Sequence, residues 1–185
     1  MKNAESRAKI TCQKIRGDGT MNRRSIVSLA AIAMISSGVA SIARADEVVK
    51  FRFITHATSV QTQNVDDVDG HILVLGHYDG LASFPDGSVG PATVTFTADY
   101  VKGVGTFLAY YSVALKDGSA LWWKGTGEGK PEGTTTVFPE FPVSVLRGTG
   151  RFEGATGDVT QTAVRVAPIA VGVHLIADVV LNVKK

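Results

Sequence analysis

Beyond residue 46, apolar and polar residues alternate along most of the chain, with the period of two that a half-buried strand imposes. The clearest run is 171–183. Val171, Val173, Leu175, Ala177, Val179, Leu181 and Val183 share one face, while His174, Asp178 and Asn182 lie on the other. Gly, Asp, Asn and Pro punctuate such runs, and no 3.6-residue apolar period is sustained. The pattern predicts eight strands, over residues 48–57, 70–84, 92–101, 105–116, 119–127, 141–148, 157–167 and 171–183. Asp117-Gly118 is a hairpin signal, because both positions tolerate positive φ. Pro85-Asp86-Gly87-Ser88 supplies another turn, and Asn64 to Asp69 a polar loop. Lys130-Pro131-Glu132-Gly133 begins a longer loop, and Gly76 and Gly80 are places where a long strand can bend.

Eight strands in the 140 residues from Asp46 to Lys185 fit one domain with one core. They predict an all-β fold, an eight-stranded antiparallel closed β-barrel, because closure removes the unpaired sheet edges. A membrane porin is a poor fit, since the aromatic residues are too few and too unevenly placed to form girdles.

The first 45 residues read differently. Met21-Asn22-Arg23-Arg24 precedes an apolar stretch from Ser25 to Ile35, and small residues then lead to Ala43-Arg44-Ala45. A basic region, an apolar region and an A-x-A site make a secretory signal peptide over 21–45, with cleavage after Ala45. The apolar run is too short for a membrane span. Arg23-Arg24 leaves a twin-arginine route open beside the general one. Residues 1–20 are an upstream extension ahead of a start at Met21, or else a lengthened basic region. The expected location is periplasmic or extracellular.

Removing the leader inverts the charge. The chain has 19 basic and 17 acidic residues; residues 1–45 hold eight and two of these, which leaves 11 against 15, a formal −4. No basic stripe remains to track phosphates, so nucleic acid is not an expected partner. The single cysteine, Cys12, leaves with the leader, and with it any disulfide or thiolate ligand.

The sharpest local feature is Gly148-Thr149-Gly150-Arg151-Phe152-Glu153-Gly154-Ala155-Thr156-Gly157. Four glycines in ten residues between strands specify a tight turn, with Phe152 as a core plug. The segment resembles the G-G-T-G-x-F-x-x-A-x-G pattern of the dirigent and allene oxide cyclase-like barrel superfamily. It matches at Gly148-Thr149-Gly150, Phe152, Ala155 and Gly157, while Arg147 departs from the first glycine. The resemblance implies an eight-stranded antiparallel barrel of calycin or allene-oxide-cyclase-like type, often trimeric, that binds hydrophobic or phenolic molecules. Activities known in that superfamily include cyclisation of a fatty-acid epoxide and steering of phenoxy-radical coupling. The matched residues are fold machinery, so no catalytic role carries over.

Candidate chemistry is sparse. His71, Leu73, Leu75, His77, Asp79 and Leu81 share one strand face, and Ile72, Val74, Gly76, Tyr78, Gly80 and Ala82 the other. His77 and Asp79 are spaced to form an imidazole–carboxylate pair, for proton transfer or as a polar pair at the surface or barrel mouth. Tyr110 and Tyr111 point to opposite faces, as do Trp122 and Trp123, so one of each pair is expected inside. Glu128 and Lys124 fall on the Trp122 face. The expected catalytic set is thus His77, Asp79, Tyr110 and Glu128. The expected ligand-lining set is Tyr78, Phe107, Tyr111, Trp122 and Trp123. No H-x-H, H-E-x-x-H, nucleophile elbow, P-loop or dinucleotide pattern is present, so neither metal nor cofactor is expected.

Three functions compete: an exported small-molecule barrel, as a cofactor-independent cyclase or isomerase or as a coupling-steering protein; a non-enzymatic lipocalin-like binder; and a structural or interaction barrel. The first requires a cavity with facing ionisable groups, the second a cavity without them, and the third a filled core.

Overall fold

The computed structural model describes residues 46–167 and 174–184. The leader, Cys12, Val171 and Val173 lie outside the described residues. The strands are β1 (Glu47–Asn64), β2 (His71–Ser83), β3 (Val89–Val101), β4 (Val104–Ala114), β5 (Ala120–Glu132), β6 (Thr135–Phe138), β7 (Val143–Thr149), β8 (Thr156–Val166) and β9 (His174–Lys184). A 3-10 turn, Gly150–Phe152, follows β7.

All pairings are antiparallel, each strand beside its predecessor until β1 meets β9 and closes the sheet. β6 and β7 share one position. β6 pairs with β5 at Lys130–Glu132 and β7 pairs with it at Ala120–Gly125, while β8 lies on their other side. Nine strands therefore make an eight-stranded antiparallel closed barrel. The break falls at Pro139-Glu140-Phe141-Pro142, where two prolines remove main-chain donors and end the ladder. The eight-strand expectation thus holds by position, with one position divided.

The inward faces carry the core. β1 turns in Val49, Phe51, Phe53 and Thr55, and β2 turns in Val74, Tyr78 and Ala82. β9 turns in Leu175, Ala177, Val179, Leu181 and Val183, the described part of the 171–183 alternation. A bulge at Thr58 shifts the β1–β2 register, so that Val60 rather than Ser59 continues the inner row. Tyr111 stacks on Trp123 with centroids 5.4 Å apart, and Phe51 meets Trp123 edge-on at 5.7 Å. Each large side chain so buried contributes about 1.5–3 kcal/mol.

Three strands run longer than the pattern predicts. β3 starts at Val89 rather than at residue 92. β5 runs past its expected end at Gly127, through Gly129 and Pro131 to Glu132. A Cβ on Gly125 would lie 2.8 Å from the Phe141 ring, and one on Gly127 would lie 3.1 Å from the Phe107 ring. These glycines make room for aromatic rings crossing the interior. β1 continues to Asn64 although its last residues are polar, because β2 pairs with it as far as Ile72.

One end of the barrel is plugged. Phe152 is fully buried there, and Arg151 clasps the strands around it. Its guanidinium lies 4.8 Å over the Phe152 ring, 2.8 Å from Asp117 and 3.2 Å from Glu47. The Asp117-Gly118 turn forms as predicted, with Gly118 at φ 80° and the Ser119 amide donating to the Asp117 carboxylate at 3.0 Å.

Candidate functional site at the open end of the barrel

The opposite end is a depression of about 580 Å³. Its walls come from the ends of β1 and β2 (Val60, Thr62, Ile72), the β3–β4 turn (Lys102, Gly103) and the β5–β6 hairpin (Pro131, Gly133 to Thr136). Tyr100 from β3 and Arg165 from β8 form its floor, and both also line a smaller void below. That void measures only about 30 Å³, room for a water molecule or two. Tyr78, Phe107, Tyr111 and Phe138 surround it. The barrel is therefore filled over most of its length and indented at one mouth.

Arg165 arrives at the floor because β8 alternates polar residues on both faces. Val159, Gln161, Ala163 and Arg165 face in, while Asp158, Thr160 and Thr162 face out or toward the rim. Arg165 is 6% exposed. Its Nη2 donates to Thr136 Oγ1 at 2.8 Å, on the strand paired beside it. The guanidinium carbon lies 5.9 Å from the Tyr100 ring centre and 5.8 Å from that of Phe138. Arg165 Nε and the Tyr78 hydroxyl are buried with no protein partner.

Deeper in, Trp123 Nε1 donates to Gln161 Oε1 at 2.9 Å, and both residues are fully buried. Burial pushes the Tyr78 phenol up to about 12, with the charge of Arg165 pulling it partly back. Burial also raises Tyr100, against the charge and hydrogen bond of Arg165. Tyr111 is raised further by burial, with Gln161 acting the other way. All three phenols are thus neutral hydrogen-bonding groups at pH 7.

The expected site residues divide sharply. Tyr78, Phe107, Tyr111 and Trp123 point inward and are buried, as a ligand-lining set requires. Trp122 instead faces outward, where the Arg147 guanidinium lies 4.1 Å over its ring. His77, Asp79, Tyr110 and Glu128 all project from the outer surface. His77 Nε2 does meet Asp79 Oδ1, at 3.2 Å, with Thr95 on the other ring nitrogen at 2.7 Å and Thr58 on the carboxylate at 2.9 Å. The pair forms, but on the outside. An interior proton-transfer set built from these four is corrected by strand parity: the face carrying Tyr78 packs, so the face carrying His77 meets water.

Sequence reasoning missed Arg165, Tyr100, Thr136 and Gln161. A usable signal existed in β8, where Asp158, Thr160 and Thr162 mark the outer face and so assign Gln161 and Arg165 to the inner one. The Gly148–Gly157 segment lies at the plugged end, with Gly150 at φ 61°, Gly154 at φ 75° and Gly157 at φ 143° shaping the turn that carries Phe152. No group of three or more His, Cys, Asp or Glu is placed to hold a metal among the described residues. Nor is any helix among them long and apolar enough to cross a membrane.

Compared with known proteins, the chain matches no family model and no curated sequence.

Proposed function

We propose that this protein is an exported barrel that binds a small apolar or phenolic molecule at its open end. One observation carries the reading. An otherwise packed barrel opens at one mouth into a depression of about 580 Å³, apolar at Val60, Ile72 and Pro131, with a phenol and a guanidinium on its floor. Apolar walls with a few convergent polar groups are the usual make-up of a small-molecule site. The signal-peptide pattern over 21–45 supports export, and the glycine-segment resemblance supports a place in the dirigent and allene oxide cyclase-like class.

Binding is favoured over acid–base catalysis. Among the described residues, no His, Asp or Glu lines either the mouth or the void beneath it. A ligand held there finds donors and apolar walls, and no group poised to exchange a proton near neutral pH. The reading of a purely structural barrel draws on the 30 Å³ void, which is too small for a ligand; the mouth above it is not.

The test is fluorescence titration of the purified protein with N-phenyl-1-naphthylamine, an uncharged apolar probe. Val60→Trp fills the mouth and is expected to weaken binding about tenfold, a loss near 1.4 kcal/mol. Tyr110→Ala, on the outer surface, is expected to leave binding unchanged. Absence of saturable binding, or a loss with Tyr110→Ala alone, sinks the mouth as the site.

A further inference from the structure

Resting on that reading, we propose that the mouth selects a small organic carboxylate, taken head-first so that its carboxylate neutralises Arg165 and its apolar body lies against the rim.

The argument begins with an uncompensated charge. Arg165 carries a permanent positive charge and five N–H donors. It is 6% exposed, its Nε has no partner among the described residues, and its acceptors there are the neutral hydroxyls of Thr136 and Tyr100. No carboxylate pairs with it among the described residues, although Arg52 finds one and Arg151 two. The undescribed stretch that follows β8, Pro168-Ile169-Ala170-Val171-Gly172-Val173, contains no acidic residue. Taking a cation out of water without a counter-ion costs several kcal/mol.

The surroundings choose the sign and shape of what completes the site. Tyr78 and Tyr100 stay protonated at neutral pH, so neither supplies the missing negative charge. They remain donors instead, and the Tyr78 hydroxyl is unused. A guanidinium flanked by phenol donors suits an oxyanion, and a planar carboxylate matches the guanidinium fork best. Among the described residues, the one other charged side chain lining the mouth is Lys102, whose Nζ is 3.1 Å from Asp69 and largely in water. The described lining thus carries two cations and no anion. The narrow void below Arg165 stops a long group from passing deeper, which places the apolar part outward, beside Val60, Ile72 and Pro131.

The experiment compares 3-phenylpropanoate with 3-phenylpropan-1-ol by isothermal titration, in the wild type, Arg165→Met and Arg165→Lys. The acid is expected to bind the wild type at least about tenfold more tightly than the alcohol, the strength of one hydrogen bond to a charged group. Arg165→Met should erase that preference, and Arg165→Lys should keep part of it. Thermal melting guards against a trivial loss of fold. A buried cation without a counter-ion is replaced by Met with an unchanged or higher Tm. Equal binding of acid and alcohol overturns the carboxylate assignment and leaves the apolar site intact. So does a preference that survives in Arg165→Met. A Tm lowered in Arg165→Met, with acid preference unchanged in Arg165→Lys and in the folded fraction of Arg165→Met, assigns Arg165 to structure and also overturns it. If neither compound binds while N-phenyl-1-naphthylamine does, the carboxylate inference alone fails. If none of the three binds, the site itself fails.

Discussion

Phe152→Ala is expected to be among the most damaging single changes in the barrel. The ring is fully buried and is delivered by a three-residue 3-10 turn rather than by a strand. Truncating a buried Phe to Ala costs about 3–5 kcal/mol, from lost transfer energy and from the cavity left behind. The upper half of that range applies if the turn cannot collapse into the space. Gly150 and Gly154, at φ 61° and 75°, fix its path, and the Arg151 amide is tied to Ser119 Oγ at 3.1 Å. In a domain of this size the loss lowers Tm by about 10–15 °C. Differential scanning calorimetry measures it directly. Gly148→Ala sharpens the test. Its new Cβ would lie 2.2 Å from the Phe152 carbonyl oxygen and 2.4 Å from the Phe152 Cβ. Both atoms persist in Phe152→Ala, so the double variant should be no more stable than Phe152→Ala alone. A Tm change below about 3 °C for Phe152→Ala would refute the plug. Recovery in the double variant would show that the ring, not the backbone, is what Gly148 accommodates.

Three further outcomes follow from local geometry. His71 bridges Asp67 and Asp99, at 2.5 and 2.8 Å, and the bond to Asp67 first, then Asp99, raises its pKa. Its stabilisation is full below the ordinary imidazole value of about 6.5 and is lost as pH rises through the higher folded value. The Tm gap between wild type and His71→Gln should therefore be larger at pH 5.5 than at pH 9; a constant gap would contradict the bridge. Arg52 and Asp178 form a two-pronged pair at 2.7 and 2.8 Å, but both side chains are more than half exposed. Arg52→Ala should shift the urea midpoint only slightly, and less as salt is added. Tyr78→Phe removes a buried hydroxyl that has no hydrogen-bond partner among the described residues. It should be neutral or stabilising by up to about 1 kcal/mol, and a larger loss would reveal an acceptor for that phenol.

The barrel was readable because period-two alternation is a direct imprint of a sheet with two unlike faces. β9, with its unbroken row from Leu175 to Val183, carried that imprint without ambiguity. Where the imprint blurred, so did the reading. In β5, Gly129 and Pro131 look like the end of a strand, and nothing local shows that Gly129 lies against Thr136 and Phe138 of β6. β6 is four residues long and flanked by Pro139, too short a run to stand out from a loop in the sequence. The site was less legible than the fold. On β2, alternation correctly separated His77 and Asp79 from Tyr78, but it did not say which row faced in. That sign depends on the summed apolarity of eight strands. His77, Asp79, Tyr110 and Glu128 lie on the wet face. Arg165 gives no local signal, because a lone arginine in a strand is ordinarily solvated, and its burial follows only from closure of the barrel around it.

The divided position shared by β6 and β7 gives this wall an expansion joint. Each half keeps its own pairing with β5 and β8. A residue added in the middle of an unbroken strand would reverse every side chain beyond it. One added between Pro139 and Pro142 disturbs neither register. The mouth half, holding Thr136 beside Arg165, and the plug half, leading to Phe152, can therefore diverge in sequence and length without destroying each other's fit. Variation among related chains should gather at that joint, and binding at one end can be reshaped while the stability of the other is kept.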